Sequence, residues 1–229
     1  MKYKKLAEVY EEVSNTTKRL KKIEILSKFL NVLPKSDKDV LYLLLGRIYP
    51  EHDQRKIGIS NQLAIKAISK ATGVGEQEIT KEWKSIGDIG KVAEKLIKNK
   101  KQSTLHSHIL TTEKVLQNLR KLPELEGKGT VGKKIFLITE LLTSASPVEA
   151  LYLVRTLLGD LRIGIKESTI RSAMANAFFS DKKRAEKEIQ DAIDKTNDIA
   201  EVFVLVKRKN FSGLKKVLIK VGKPLKVML

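Results

Sequence analysis

The stretch Leu161-Arg162-Ile163-Gly164-Ile165, with the helical run of residues 166–179 behind it, decides how the rest of the chain is read. A glycine between two isoleucines, preceded by an arginine, marks a backbone turn that approaches something closely. The helix behind it offers free N–H groups to an anion. The same design occurs 106 positions earlier, where Arg55-Lys56 precede Ile57-Gly58-Ile59 and the apolar-periodic run 63–71 follows. Ala67 and Ala71 then fall opposite Ala173 and Ala177, so the helices match as well as the turns.

Working outward, Lys133-Lys134-Ile135 matches Lys21-Lys22-Ile23, Leu151-Tyr152-Leu153 matches Leu41-Tyr42-Leu43, and Asp198-Ile199 matches Asp88-Ile89. These blocks keep their order at a period of about 110 residues, which is too long for a solenoid repeat. Hydrophobic periodicity is helical almost throughout, and no alternating strands joined by a hairpin turn occur. The expected fold is therefore all-α, with two helical subdomains related by a pseudo-twofold axis through internal duplication and a short extended C-terminal tail. The expected domain covers residues 1–211, in halves of about 1–104 and 105–211 joined by the polar linker 98–104, and residues 212–229 begin a further linker. Helices are expected over 4–13 and 19–30, from Ser36-Asp37-Lys38-Asp39 onward, and over 63–71 and 91–97, with Trp83 in the core. Ser146-Pro147-Val148-Glu149 reads as a capping box with proline at the first helical position.

With 45 Lys and Arg against 27 Asp and Glu, the net charge of +18 points to a polyanion partner. Aromatic residues make up only 5%, too few for a stacking platform, which favours a duplex over a single strand. There is no cysteine, hence no disulfide framework and no thiolate metal site. No apolar run is long enough for a membrane span, and Met1-Lys2-Tyr3-Lys4-Lys5 leads into an amphipathic pattern instead of a signal segment. A cytoplasmic protein with no membrane partner is expected.

Gly127-Lys128-Gly129-Thr130-Val131-Gly132-Lys133-Lys134 approaches the spacing of a nucleotide-binding P-loop, but Lys134 stands where a magnesium-holding Ser or Thr belongs and no strand precedes it. What survives is a glycine-rich entry to a helix starting near Lys133, suited to a nucleic-acid phosphate. Its counterpart is Thr16-Thr17-Lys18-Arg19-Leu20. Two such loops and two Ile-Gly-Ile turns offer four phosphate contacts, which would grip a duplex without reading its sequence. His106 and His108 stand two apart with no cysteine, so no metal site is expected, and no catalytic triad or carboxylate pair stands out. The C-terminal tail carries no acidic residue from Val202 onward, and Val217-Leu218-Ile219-Lys220-Val221 reads as extended before Gly222-Lys223-Pro224 breaks it.

Taken in order, Lys21-Lys22-Ile23-Glu24-Ile25-Leu26, Leu41-Tyr42-Leu43, Gly87-Asp88-Ile89-Gly90, Gly132-Lys133-Lys134-Ile135, Gly159-Asp160-Leu161-Arg162-Ile163-Gly164 and Val221-Gly222-Lys223-Pro224-Leu225 resemble the N-terminal DNA-binding domain of ATP-dependent DNA ligases of the archaeal and eukaryotic replicative type. The resemblance covers essentially the whole chain. It implies an all-helical domain that lies across the minor groove opposite a nick in double-stranded DNA and helps the catalytic domains encircle it. The family's contact loop maps onto residues 159–169, with Gly159, Arg162, Gly164, Lys166 and Thr169 as candidate contacts. Thr17, Arg19, Thr130 and Lys133 are further candidates, together with Gly58, Gly87 and, in the linker, Lys101 and Ser103. A sliding-clamp contact would use Gln102 and Leu105, although the aromatic residues of the family's clamp-binding segment are missing. The tail departs from the family pattern at Val227, where a proline is common. The family's nucleotide-accepting Lys-x-Asp-Gly motif does not occur here, so the chain reads as a piece cut from a longer enzyme. That parent would join DNA in replication, repair and recombination with ATP and Mg2+, through adenylation and OB-fold domains, and would act as a monomer in the cytoplasm, associated with the nucleoid when on DNA. The chain alone would hold no catalytic residue or cofactor. A basic helical scaffold that binds protein partners is the competing reading.

Overall fold

The computed structural model describes residues 1–99, 109–209 and 211–218. All regular structure among them is helical, apart from one isolated antiparallel bridge between Lys2 and Thr111. The chain forms two compact units, one of residues 1–8 and 55–162, the other of residues 9–54 and 163–229. It passes between them at Glu8–Val9, Gln54–Arg55 and Arg162–Ile163. The helix α1 (Tyr3–Ser14) runs from the first unit into the second.

The first unit contains α4 (Asn61–Thr72), α5 (Glu76–Ile86), α6 (Ile89–Lys98), α7 (Thr112–Glu124), α8 (Thr130–Ser144) and α9 (Pro147–Leu157). Its core is built where α6 packs on α9 and α4 on α8. Both pairings rest on small residues that let backbones approach. Ala64, Ala67 and Ala71 line the buried face of α4, and a Cβ built on Gly90 of α6 would lie 2.8 Å from the carbonyl oxygen of Leu151 on α9. At the start of α9, the Ser146 backbone N–H donates to Glu149 Oε2 at 2.8 Å, and Pro147 occupies the first helical position as expected.

The second unit contains α2 (Arg19–Val32), a 3-10 turn (Lys35–Asp37), α3 (Val40–Leu44), α10 (Glu167–Phe178), α11 (Lys182–Thr196), α12 (Ile199–Lys207) and α13 (Phe211–Lys215). Here α10 packs on α2 and α12 on α3. In each unit, then, a helix from one sequence half lies on its partner from the other half, so the compact units do not follow the boundary at 104. The two pairings match in detail. Thr139 Oγ1 on α8 donates to the Ala67 carbonyl on α4 at 3.4 Å, and Ser27 Oγ on α2 donates to the Ala173 carbonyl on α10 at 3.1 Å. These are counterpart positions in the two sequence blocks.

Three expectations shift. Trp83 is only half-buried, because α5 buries Ile79 alone. α8 starts at Thr130, three residues before Lys133, since Gly129 takes φ +83 and lets the chain turn into the helix there. The boundary at 212 falls inside α13, which is docked on its own unit. The Phe211 ring lies 4.3 Å from that of Phe179 and under the Arg184 guanidinium, Leu214 is buried, and Lys215 pairs with Glu188 at 3.6 Å. The expected extended segment 217–221 and the break after it lie mostly outside the described residues.

Candidate nucleic-acid interface

In the second unit the first turn of α2 stands beside the turn that precedes α10. Lys22 explains why. It sits in the apolar phase of α2 with Ile23, Ile25, Leu26, Phe29 and Leu30, and its side chain is almost fully buried. Its ammonium donates to the carbonyls of Ile163 at 2.6 Å and Gly164 at 3.2 Å. Gly164 has φ +61, and a Cβ there would lie 2.7 Å from Lys22 Nζ, so glycine satisfies both the left-handed backbone and the clamp. Arg19, also on α2, donates from Nη2 to Ser172 Oγ on α10 at 3.3 Å. The exposed residues left around this clamp are Thr17, Lys18, Arg19, Gly164 and Lys166. Neither Lys18 nor Lys166, the residues preceding α2 and α10, caps its helix with a side chain, and the first turn of α2 keeps N–H groups open to an anion. Thr169 is buried, with its backbone N–H bonded to the Lys166 carbonyl, so its side chain does not face solvent with the others.

In the first unit the turn that follows α9 and the turn before α6 meet. Gly159 and Gly87 both take positive φ, and Arg162 itself adopts φ +55, a backbone region that non-glycine residues seldom occupy. Its guanidinium explains how the turn is held. Nε donates to Asp160 Oδ2 at 2.6 Å, and Nη1 reaches the Gly87 carbonyl at 3.3 Å and Asp88 Oδ2 at 3.4 Å. The hydrogen bond that Arg162 donates to Asp160, against the opposing effect of burial, raises the Arg162 pKa further. Asp88 also receives Arg155 Nη2 at 2.7 Å and accepts the backbone N–H groups of Gly90 and Lys91, which caps α6. Burial acts to raise the Asp88 pKa, but the bonds and charge of Arg155, the Lys91 N–H and Arg162 outweigh it and hold it below its ordinary value. Arg162 is thus exposed yet already paired with two carboxylates, and a phosphate would have to compete for it.

Also in this unit, α8 begins with Thr130, whose hydroxyl donates to the Gly127 carbonyl at 2.9 Å, and exposes Lys133 in its first turn. Gly58 precedes α4, the helix on which α8 packs, and has φ +63. The counterpart of Lys22 is Lys134, and it makes no hydrogen bond of the same kind among the described residues, so this turn lacks the clamp. Lys101, Ser103, Gln102 and Leu105, with His106 and His108, lie outside the described residues.

Sequence reasoning does not find the Lys22 clamp, because it uses Lys21-Lys22 only as a repeated block and as part of the family resemblance. The available signal was phase: Lys22 falls three and four residues before Ile25 and Leu26, on the buried stripe. Among the described residues no group of acidic or histidine side chains is placed to hold a metal, and no helix is long and apolar enough to cross a membrane.

These features can be set beside known proteins. A protein named DNA ligase from Methanosphaera stadtmanae is 41% identical over 231 residues, covering 99% of this chain and 41% of that protein. The DNA ligase of Methanobrevibacter smithii is 40% identical over 230 residues, and that of Thermococcus onnurineus 36% over 230, each covering 100% of this chain and about two fifths of the relative. The chain thus spans about 40% of the length of the curated relatives it matches. A family model described as DNA ligase N terminus matches residues 2–175, a span that runs from α1 through the clamped Gly164 turn and most of α10, and the chain belongs to that family.

Proposed function

We propose that this chain is the part of an ATP-dependent DNA ligase that grips nicked double-stranded DNA by its phosphate backbone, from the minor-groove side and without reading sequence. The observation that carries this is the clamped pair in the second unit: the open first turn of α2, with Lys18 and Arg19 exposed, fixed beside the Gly164 turn by a buried lysine. Backbone N–H groups, a glycine that allows close approach and cations together recognise phosphate but carry no base-specific information. The parent enzyme would seal nicks with ATP and Mg2+, using adenylation and OB-fold domains in the length its relatives have beyond this chain. It would act as a monomer on DNA in the cytoplasm, and Gln102 and Leu105 would meet a sliding clamp.

The test is fluorescence anisotropy on nicked and intact duplexes of unrelated sequence across a salt series. Arg19→Ala should weaken binding equally on every sequence and lower the log–log salt slope by about one, the signature of one lost phosphate contact. Arg162→Ala should change the slope by less, because Asp160 and Asp88 already offset its charge. If Arg19→Ala and Lys133→Ala both leave affinity and slope unchanged, the DNA reading fails and a basic scaffold for acidic protein surfaces takes its place. With radiolabelled ATP and Mg2+ the chain should form no lysyl-adenylate, because no Lys-x-Asp-Gly stretch is present to accept one.

A further inference from the structure

Two aliphatic side chains stand in water where the charge pattern leads one to expect phosphates. Leu20 is 79% exposed and Val131 is 52% exposed. Each is the second residue of its helix, α2 and α8 respectively. Cations stand close to each in the chain: Lys18, Arg19 and Lys21 around Leu20, Lys128 and Lys133 around Val131, and all five are exposed. Neither aliphatic side chain belongs to the core of its unit, so folding gains little from either. Left in water, each forgoes the free energy that burying its apolar surface would return.

We propose that Leu20 and Val131 pack against deoxyribose faces at the edge of the minor groove and make the grip selective for DNA over RNA. The inference rests on the DNA-binding reading above and adds the chemistry of the sugar to it. A sugar lies between successive phosphates along a strand, so an aliphatic group flanked by two phosphate-bound cations is carried onto the sugar between them. The charge around each residue therefore selects a polyanion with apolar ring faces rather than an apolar protein surface. A hydrocarbon side chain has no donor or acceptor with which to distinguish bases, which suits a sequence-independent grip. It does sense the 2′ position. In RNA the 2′-hydroxyl would be pressed against carbon and lose its water without gaining a partner. Because α2 and α8 present the same feature in separate units, the discrimination is made twice.

The experiment is anisotropy at fixed salt, and then across a salt series, with the 229-residue chain on a DNA duplex and an RNA duplex of the same sequence. The variants are Leu20→Ser, Leu20→Met, the near-isosteric Val131→Thr, and Arg19→Ala, with circular dichroism to check folding. Leu20→Ser should lose about 5–30-fold in DNA affinity, as expected for partly burying one leucine side chain. Its salt slope should stay that of the parent, since no phosphate contact is lost, and its preference for DNA over RNA should shrink. Leu20→Met should retain both affinity and preference, and Val131→Thr should shift in the direction of Leu20→Ser. If Leu20→Ser and Val131→Thr bind DNA like the parent while Arg19→Ala binds more weakly, this inference is overturned and the DNA reading stands. Equal binding of DNA and RNA by the parent chain overturns it likewise. If no variant changes DNA binding, Arg19→Ala included, both readings fall, and a protein becomes the better occupant of these residues.

Discussion

Gly90→Val is expected to destabilise the chain by about 3 kcal/mol or more, at the upper end of what overpacking costs. In a chain of this size that lowers the melting temperature by roughly 10 °C. The reason is the close crossing of α6 and α9. A Cβ at this position would lie 2.8 Å from the Leu151 carbonyl oxygen, 3.0 Å from Arg155 Cγ and 3.1 Å from Asp88 Oδ1. The first of these is backbone and cannot swing aside, so the helices must separate. Gly90→Ala carries the same Cβ and should also destabilise, by about 1–3 kcal/mol. That reverses the usual sign, because alanine is favoured over glycine inside a helix by about 1 kcal/mol. The counterpart residue of α12, Ala200, is fully buried with its Cβ in place, so the second unit accommodates there what the first cannot. Thermal denaturation followed by circular dichroism checks both variants, and a Gly90→Ala chain as stable as the parent would show that the helices can move apart freely.

Asp88→Ala should cost a similar amount for a different reason. The carboxylate caps α6 through the N–H groups of Gly90 and Lys91, and losing such a cap costs about 1 kcal/mol. It also neutralises Arg155, whose side chain is only 10% exposed and is held at 2.7 Å. Removing one partner strands the other charge, which for buried pairs costs about 3–5 kcal/mol. Asp160→Ala removes an exposed partner of Arg162 and should change stability by less than about 1 kcal/mol. Urea titrations of the two variants should therefore differ widely although both delete an aspartate that meets Arg162. The pH dependence follows from the lowered pKa of Asp88. A carboxylate with a depressed pKa in the folded state contributes stability that is present above its unfolded value, about 3.9, and that is lost as pH falls through the lower folded value. The gap in stability between the parent and Asp88→Asn should be largest near neutrality and narrow below about pH 4.

Several features could be read before any coordinates were known, because they depend on residues near one another in the chain. The helical period, the proline and glutamate at the start of α9, and the glycines at 58, 87, 159 and 164 that take positive φ are all local consequences of side-chain spacing and backbone freedom. The repeated blocks likewise identified which segments are alike. What no local pattern carries is which copy covers which. The buried stripes of α2 and α8 are similar, so neither stripe by itself says whether it covers α4 or α10. The packing that results puts α8 on α4 and α2 on α10. The same limit applies to charge. Lys22 and Arg162 are both basic residues in basic surroundings, but one is buried against two carbonyls and the other is exposed between two carboxylates. Those partners lie 141 and 74 residues away along the chain for the Ile163 carbonyl and Asp88, respectively. Whether a cation is free for a phosphate depends on such distant neighbours, which are brought together only when the apolar stripes are buried.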